Sequence, residues 1–203
     1  MLDGKIITGE ITFTKENEIL IESNRRLINK ELSFYKDEVF SVSRGNEKSI
    51  LYIQDTCTGK MFSVNEMAGF IEGLQDGRKN YHAPFATIGG FVTGVTGGFF
   101  GFWGMTIPTT YVFIVGIKTP KLNLKRHSEL PERINIVAQE VNQYGLKNTV
   151  VEKDITVYEE SIVPYYKYGY ETAAKDKKIK NAICGSIVGF VTLVVTSYFL
   201  VAR

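Results

Sequence analysis

The sequence predicts an α+β membrane protein, in which a small β meander or barrel precedes a glycine-rich helical hairpin, a short soluble helical region and a C-terminal transmembrane helix. Three observations predict this fold class. Short β-rich runs separated by turn residues fill residues 4–64. Two later stretches, 84–117 and 181–202, contain no charged side chain. The net charge of +2 over 203 residues is ordinary for a soluble protein, but the charged residues all lie outside these two stretches.

The first predicted domain, residues 1–64, is a small β unit. Its β-rich runs lie at 6–13, 19–21, 27–28, 39–42, 50–53 and 61–64. Five or six short strands without room for crossover helices favour a meander or a small barrel similar to SH3-like and Sm-like barrels, and Gly9 would permit a bend in the first run. The basic cluster of Arg25, Arg26 and Lys30 is surrounded by glutamates, so we expect no nucleic-acid partner.

Residues 65–83 are predicted to form an amphipathic linker helix. Its apolar positions follow helical spacing at Met67, Phe70, Ile71 and Leu74. Ser63 or Asn65 is available as the N-cap, and Glu66 lies in the first turn. We expect this helix to lead directly into the first uncharged stretch.

The stretch 84–117 is predicted to form a glycine-rich membrane hairpin. As one straight helix its 34 residues would reach about 50 Å, whereas the hydrocarbon core of a bilayer is roughly 30 Å thick. We expect a first arm over about 85–104, a turn near Pro108 and a return arm to Gly116. The alternatives are a single span, and a buried glycine-rich core or surface loop of a soluble protein.

Residues 181–203 are predicted to form a C-terminal transmembrane helix, because 22 uncharged residues precede Arg203. Glycines at four-residue spacing occur in both uncharged stretches, and this spacing lets helix backbones approach closely in lipid. The predicted helix-packing residues are Gly90, Gly94, Gly98, Gly101, Gly185 and Gly189.

The region between the two stretches, 118–180, is predicted to be soluble, with a helix at 134–144 and a short strand at 149–157. Tyrosines close to the uncharged stretches are typical of side chains that anchor helices at headgroup depth. The predicted interfacial anchors are Tyr81, Tyr165, Tyr166 and Tyr168. A binding site formed by the later tyrosines is the alternative.

Basic residues flank the uncharged stretches at 78–79, 118–126 and 175–180. All three clusters lie on one side only if the chain crosses the bilayer an even number of times between the first and the second, which again favours the hairpin. The β unit and the middle region then lie together, most simply in the cytoplasm. If Met1 is the true start, this predicts the inner membrane of a bacterial cell envelope, whereas a missing signal peptide would change the assignment.

A shift of 96 residues superimposes the entrance of one membrane stretch on that of the other. The paired residues are Phe70 and Tyr166, Gly73 and Gly169, Gly77 and Ala173, Lys79 and Lys175, Ala86 and Ala182, Gly89 and Gly185, Val92 and Val188, and Val95 and Val191. Six of these eight pairs are identical. We interpret them as a repeated unit, an amphipathic helix followed by a glycine-bearing membrane helix, whose two copies could pack as pseudo-symmetric partners.

The chain contains five short motifs: the opening run at 3–11, Gly-x-x-Asp-Gly at 73–77, Ile-Pro at 107–108, Thr-Pro at 119–120 and Tyr-Gly-Tyr at 168–170. In these motifs the chain resembles uncharacterised envelope proteins of Bacteroidota, and the resemblance covers most of its length. It implies an envelope location with a signal peptide upstream, and it implies no activity.

The sequence predicts no catalytic, cofactor or metal site. His82 and His127 have no cysteine or carboxylate at metal-ligand spacing. The glycine runs at Gly89 and Gly97 lack the Lys-Ser/Thr pair of a phosphate loop, and the carboxylates show no paired acid and base. We therefore expect neither an enzyme nor a small-molecule substrate.

The expected function is that of a membrane anchor or an assembly subunit. Its partners would be the lipid bilayer and either a second copy or another membrane protein, which would pair with the glycine faces, while the β unit binds a partner in water. The alternative is a small oligomeric channel or transport-related subunit. An ion path needs strongly polar side chains inside the spans, but the polar residues considered there are only a few weakly polar threonines: Thr87, Thr93, Thr96 and Thr192. This favours the anchor over the channel.

Overall fold

The computed structural model of the chain describes residues 1–14, 17–25, 28–45, 47–122 and 155–201. The described residues form two compact units. Unit 1 contains Met1–Gln75 and, among the later described residues, 155–169. Unit 2 contains Asp76–Leu122 and the described residues 170–201. The helix predicted at 134–144 lies outside the described residues. So does most of the strand predicted at 149–157, whose last three residues are helical.

Two small antiparallel sheets occupy the N-terminal part of unit 1. The first is a meander of three strands in sequence order, β1 Glu10–Thr14, β2 Glu18–Arg25 and β3 Ile28–Tyr35. The second pairs β4 Ser41–Arg44 with β5 Glu47–Ile50. This region and the helices that follow confirm the α+β class.

The alternative of a closed barrel is wrong for the part of the chain that the structure describes. A 3₁₀ turn at Lys36–Glu38 ends the first ladder, and the next two strands pair with each other as a separate sheet. The first predicted run becomes a strand only after Gly9, whose added Cβ would lie 2.5 Å from the carbonyl oxygen of Glu22. Close backbone approach explains this glycine. The predicted runs at 50–53 and 61–64 are mostly irregular.

Helix α1, Val64–Asn80, begins at a reciprocal cap. The backbone N–H of Ser63 donates to Oε2 of Glu66 over 2.8 Å, and the backbone N–H of Glu66 donates to Oγ of Ser63 over 3.3 Å. Ser63 is thus the cap, and two N-terminal donors of the helix are satisfied. The buried core of unit 1 that α1 joins consists of Phe40, Tyr52, Met67, Ala68 and Ile71.

The remaining helices carry the two uncharged stretches. They are α2 Pro84–Phe99, α3 Gly101–Gly104, α4 Thr106–Ile117 and α5 Ile155–Val201, which begins in unit 1. The buried apolar cluster of unit 2 is made of small side chains. Its members are Ala83, Ala86, Val115 and Ala182. Small residues at these positions let the helix axes lie close together.

Candidate functional site: a glycine-packed helix cluster

The chain reverses direction between α2 and α4. Near the tip, an added Cβ on Gly97 would lie 2.6 Å from the carbonyl oxygen of Gly104. Near the base, the hydroxyl of Tyr111 donates to the carbonyl oxygens of Phe85, at 3.2 Å, and Ala86, at 3.3 Å. Helix α4 therefore returns along α2, and the two form a helical hairpin.

The reversal lies earlier in the chain than the predicted turn at Pro108. Helix α2 ends at Phe99, and Gly101 has a φ of +62°, a backbone conformation that favours glycine. Pro108 is the third residue of α4. In the first turn of a helix its missing N–H removes no intrahelical hydrogen bond, so this proline starts the return arm and does not break it.

The glycines of α2 pack against α5. An added Cβ on Gly90 would overlap the carbonyl oxygen of Ala182, and one on Gly94 would overlap that of Ser186. Gly98 meets the side chain of Leu193. Because the contacted positions rise together along both helices, α2 and α5 run parallel.

The glycines of α5 complete the same interface. An added Cβ on Gly185 would overlap the carbonyl oxygen of Thr87, and one on Gly189 would overlap that of Phe91. Five of the six predicted helix-packing glycines thus line the contact between α2 and α5, within one chain, and Gly101 instead forms the turn of the hairpin. Sequence reasoning did not identify the partner, because a small-residue spacing does not specify which helix it faces.

The contacts follow the 96-residue offset found in the sequence. In unit 2, Gly77 lies against Ala173 and Gly90 lies against Ser186, and the members of each pair are 96 positions apart. In unit 1, Gly169 packs against the turn of α1 between Phe70 and Leu74, and this turn contains Gly73, the residue 96 positions before Gly169. Equivalent positions of the repeated unit therefore face one another, as expected for a pseudo-symmetric pair of parallel helices.

Two lysines of α5 bind the C-terminal carbonyl groups of other helices in unit 2. Nζ of Lys177 donates to the carbonyl oxygen of Arg78 over 2.6 Å. Nζ of Lys178 donates to the carbonyl oxygens of Val115, at 3.0 Å, and Lys118, at 3.1 Å. Each ammonium satisfies carbonyl groups that lack an intrahelical donor and lies at the negative end of a helix dipole. The ends of α1 and α4 therefore lie beside the same segment of α5.

The hydroxyl groups of these helices are bonded within their own helices. Each of the six threonines in 84–117 donates to a backbone carbonyl oxygen three or four residues earlier. Ser186, Thr192 and Thr196 of α5 do the same over four residues. Such bonds satisfy hydroxyl donors without water.

The uncharged C-terminal part of α5, residues 181–201, is apolar and largely exposed. Among the described residues α5 contains the one helix segment, within Ile162–Leu200, that is long and apolar enough to cross a membrane. Only 11% of the most apolar 18-residue window is buried. Large apolar side chains that are more than half exposed occur on all three long helices of unit 2: Phe85, Ile88, Phe113, Ile117, Ile187, Val188, Phe199 and Leu200.

Two of the four predicted tyrosine anchors, Tyr81 and Tyr166, are partly buried and buried, respectively. Tyr81 packs beside the alanine cluster of unit 2, and desolvation by burial raises the pKa of its phenol. Tyr166 is 2% exposed and belongs to unit 1. Their role as headgroup anchors stays a prediction.

The other two anchors stack on aromatic side chains within unit 1. The rings of Tyr165 and Phe62 are 5.0 Å apart, and those of Tyr168 and Phe70 are 5.4 Å apart. The pKa of Tyr165 is raised, first by a hydrogen bond with the carboxylate of Glu66. These contacts assign both tyrosines a packing role that the sequence pattern did not indicate.

The described residues contain no group of three or more histidine, cysteine, aspartate or glutamate side chains placed to hold a metal ion. The thiols of Cys57 and Cys184 are free and exposed. Comparison with family models, with curated proteins and with solved structures finds no match to this chain. The resemblance to envelope proteins of Bacteroidota stays a prediction.

Proposed function

We propose that this protein is a non-enzymatic membrane anchor or assembly subunit. The observation that carries the proposal is α5, in which an apolar window of spanning length is only 11% buried. In water, contiguous exposed apolar patches larger than a few hundred Å² are rare on monomeric proteins. In a bilayer the same side chains lie in their preferred solvent, so lipid is the first partner.

The proposed topology has one crossing helix and one hairpin. The uncharged part of α5, residues 181–201, reaches about 32 Å, enough to cross a hydrocarbon core of roughly 30 Å. The 16 residues of α2 reach only about 24 Å. The bonds of Lys177 and Lys178 support entry and exit of the hairpin on one side, because they hold the residues before and after it beside one segment of α5.

The proposed partner surface lies outside the glycine faces. The backbone of α5 packs directly against the glycines of α2, and the backbone of α2 packs against the glycines of α5. A second copy could therefore reach these glycines only if the two helices separated. We therefore propose that the β sheets of unit 1 bind a partner in the aqueous phase. A position in the inner membrane of a bacterial envelope, with the β sheets in the cytoplasm, fits the basic flanks.

Membrane extraction and liposome flux test the proposal. Membranes that contain the full-length protein are washed with alkaline carbonate and then floated on a density gradient. We expect the protein to float with the lipid and to need detergent for release, whereas release by carbonate alone would refute the anchor. Purified protein in liposomes should conduct no ions, because the threonine hydroxyls are bonded to their own helices. Selective conductance would favour the channel alternative.

A further inference from the structure

We propose that unit 2 binds an anionic phospholipid at a basic collar formed where its helix ends meet. The basic collar consists of Arg78, Lys79, Lys118, Lys121, Lys175, Lys177, Lys178 and Lys180. This inference rests on the membrane location proposed above and adds a lipid class to it. The shared property of the eight residues is that each lies at or next to a helix end, or on the segment of α5 beside those ends.

Hydrogen bonds bring the three parts of the collar together. Lys177 reaches the end of α1 at Arg78, and Lys178 reaches the end of α4 at Lys118. Next to Lys178, the side chain of Ile179 packs against Gly116 of α4. Basic residues that are far apart in sequence are thereby gathered around one segment of α5.

Positive charge is in excess at the collar. The acidic residues on the same segments are Asp76, Glu171 and Asp176, against eight basic residues. Asp76 is buried, and the carboxylate of Glu171 accepts a bond from the backbone N–H of Leu122 at 3.4 Å. None of the eight basic side chains of the collar forms an ion pair with another described residue, and Lys177 and Lys178 donate to carbonyl oxygens instead.

Exposed apolar side chains continue from the collar along the uncharged helices. On α4, Phe113 and Ile117 are 70% and 64% exposed and come just before Lys118. On α5, Ile183 and Ile187 are 41% and 58% exposed and come just after Lys180. A free phosphate ion would use only the cations. A phospholipid fits both features, with its phosphate at the ammonium groups and its acyl chains along the apolar side chains.

Lipid selectivity in bilayers tests this site. The full-length protein is reconstituted into phosphatidylcholine vesicles that carry a trace of spin-labelled phosphatidylglycerol or spin-labelled phosphatidylcholine. The motionally restricted fraction of each label gives the association constant of one lipid relative to the other. We expect a preference for phosphatidylglycerol that decreases as salt is added, because headgroup attraction to basic residues is screened.

Matched triple variants separate the collar from net charge. The Lys79→Gln, Lys118→Gln, Lys180→Gln variant should lose the preference, since each lysine near the headgroups contributes up to about fivefold. The Lys5→Gln, Arg44→Gln, Lys36→Gln variant removes the same charge from the β region and should keep it. Equal association of both labels with the wild type, or equal loss in both variants, would overturn the lipid site. Failure of the wild type to reconstitute into vesicles would instead overturn the proposed membrane location.

Discussion

Lys178 donates its ammonium to the carbonyl oxygen of Val115 over 3.0 Å, and this bond ties the return arm of the hairpin to the long helix. Val115 is buried, and the same ammonium also bonds Lys118. The lysine thus satisfies C-terminal carbonyl groups of α4 that have no donor in their own helix.

Replacing Lys178 by methionine should lower the free energy of unfolding by about 1 kcal/mol, because two carbonyl groups lose a charged donor. The measurement is unfolding of the purified protein in mixed micelles, followed by circular dichroism. Lys180→Met is the matched control, since Lys180 is exposed and forms no bond to a described residue. Equal losses in the two variants would show that the bond contributes nothing.

Replacing Gly94 by leucine should destabilise the contact between α2 and α5. The Cβ of any residue at this position would already overlap the backbone of Ser186. The helices must therefore move apart, or the leucine side chain must adopt an unfavourable rotamer, and either change should lower the free energy of unfolding by about 1–3 kcal/mol. The same micelle assay measures the loss. Val92→Leu serves as control because Val92 is 56% exposed on the same helix. If Gly94→Leu were as stable as the control, the parallel packing of α2 on α5 would be wrong.

Cysteine labelling should place both ends of the hairpin on one side of the membrane. In a background with Cys57→Ser and Cys184→Ser, Lys79→Cys and Lys118→Cys should react with an impermeant maleimide from the same face of sealed vesicles. Arg203→Cys should react from the other face, because one crossing separates it from Lys180. Reaction of the first two positions from opposite faces would exclude the hairpin topology.

Removing the cap of α1 should weaken unit 1. Ser63→Ala deletes the hydroxyl that accepts the backbone N–H of Glu66, and loss of such a cap costs about 1 kcal/mol. Thermal unfolding of the full-length protein should show a lower midpoint. Ser33→Ala, on an exposed position of β3, should leave the midpoint nearly unchanged. A larger effect at Ser33 would contradict the assigned cap.

Alkaline pH should destabilise the folded state. The pKa values of Tyr52, Tyr81 and Tyr170 are raised above the ordinary tyrosine value of 10.0, first by desolvation, and that of Tyr165 is raised first by its bond with Glu66. A raised pKa means that the folded state holds the proton more tightly, so this stability is complete below pH 10 and is lost as the pH rises through the folded values. Tyrosinate absorbance and circular dichroism should change together above pH 10. Ionisation of all tyrosines at their ordinary value, with no loss of structure, would contradict this expectation.

The sequence predicted the parts of the molecule that depend on local pattern. Short β-rich runs separated by turn residues located the antiparallel region. The choice of Ser63 or Asn65 as the cap, with Glu66 in the first turn, located the start of α1, because capping needs only residues close in the chain. The absence of charge over 34 residues, too long for one span, located the hairpin. Each of these signals is contained in a short window of sequence.

The features that the sequence did not predict depend on contacts between distant residues. The partner of Gly90 is Ala182 in the same chain, and a glycine spacing alone fits a second copy equally well. The turn was placed at Pro108 because proline usually breaks a helix, but in the first turn of α4 it is accommodated. The barrel was one of two alternatives, beside a meander, that the number of strands allowed, and that number does not reveal that the two ladders are separate.

The parallel packing of α2 on α5 also sets an order of events during synthesis. About 90 residues separate Gly90 from Ala182, so at a translation rate of about 5–20 residues per second α2 waits roughly 5–20 s for its partner. Throughout that interval the face of α2 that contains Gly90 and Gly94 is exposed to lipid tails or to any neighbouring helix. Helix α5 covers these glycines only after it has left the ribosome, and a chain truncated before Asn181 would leave them exposed.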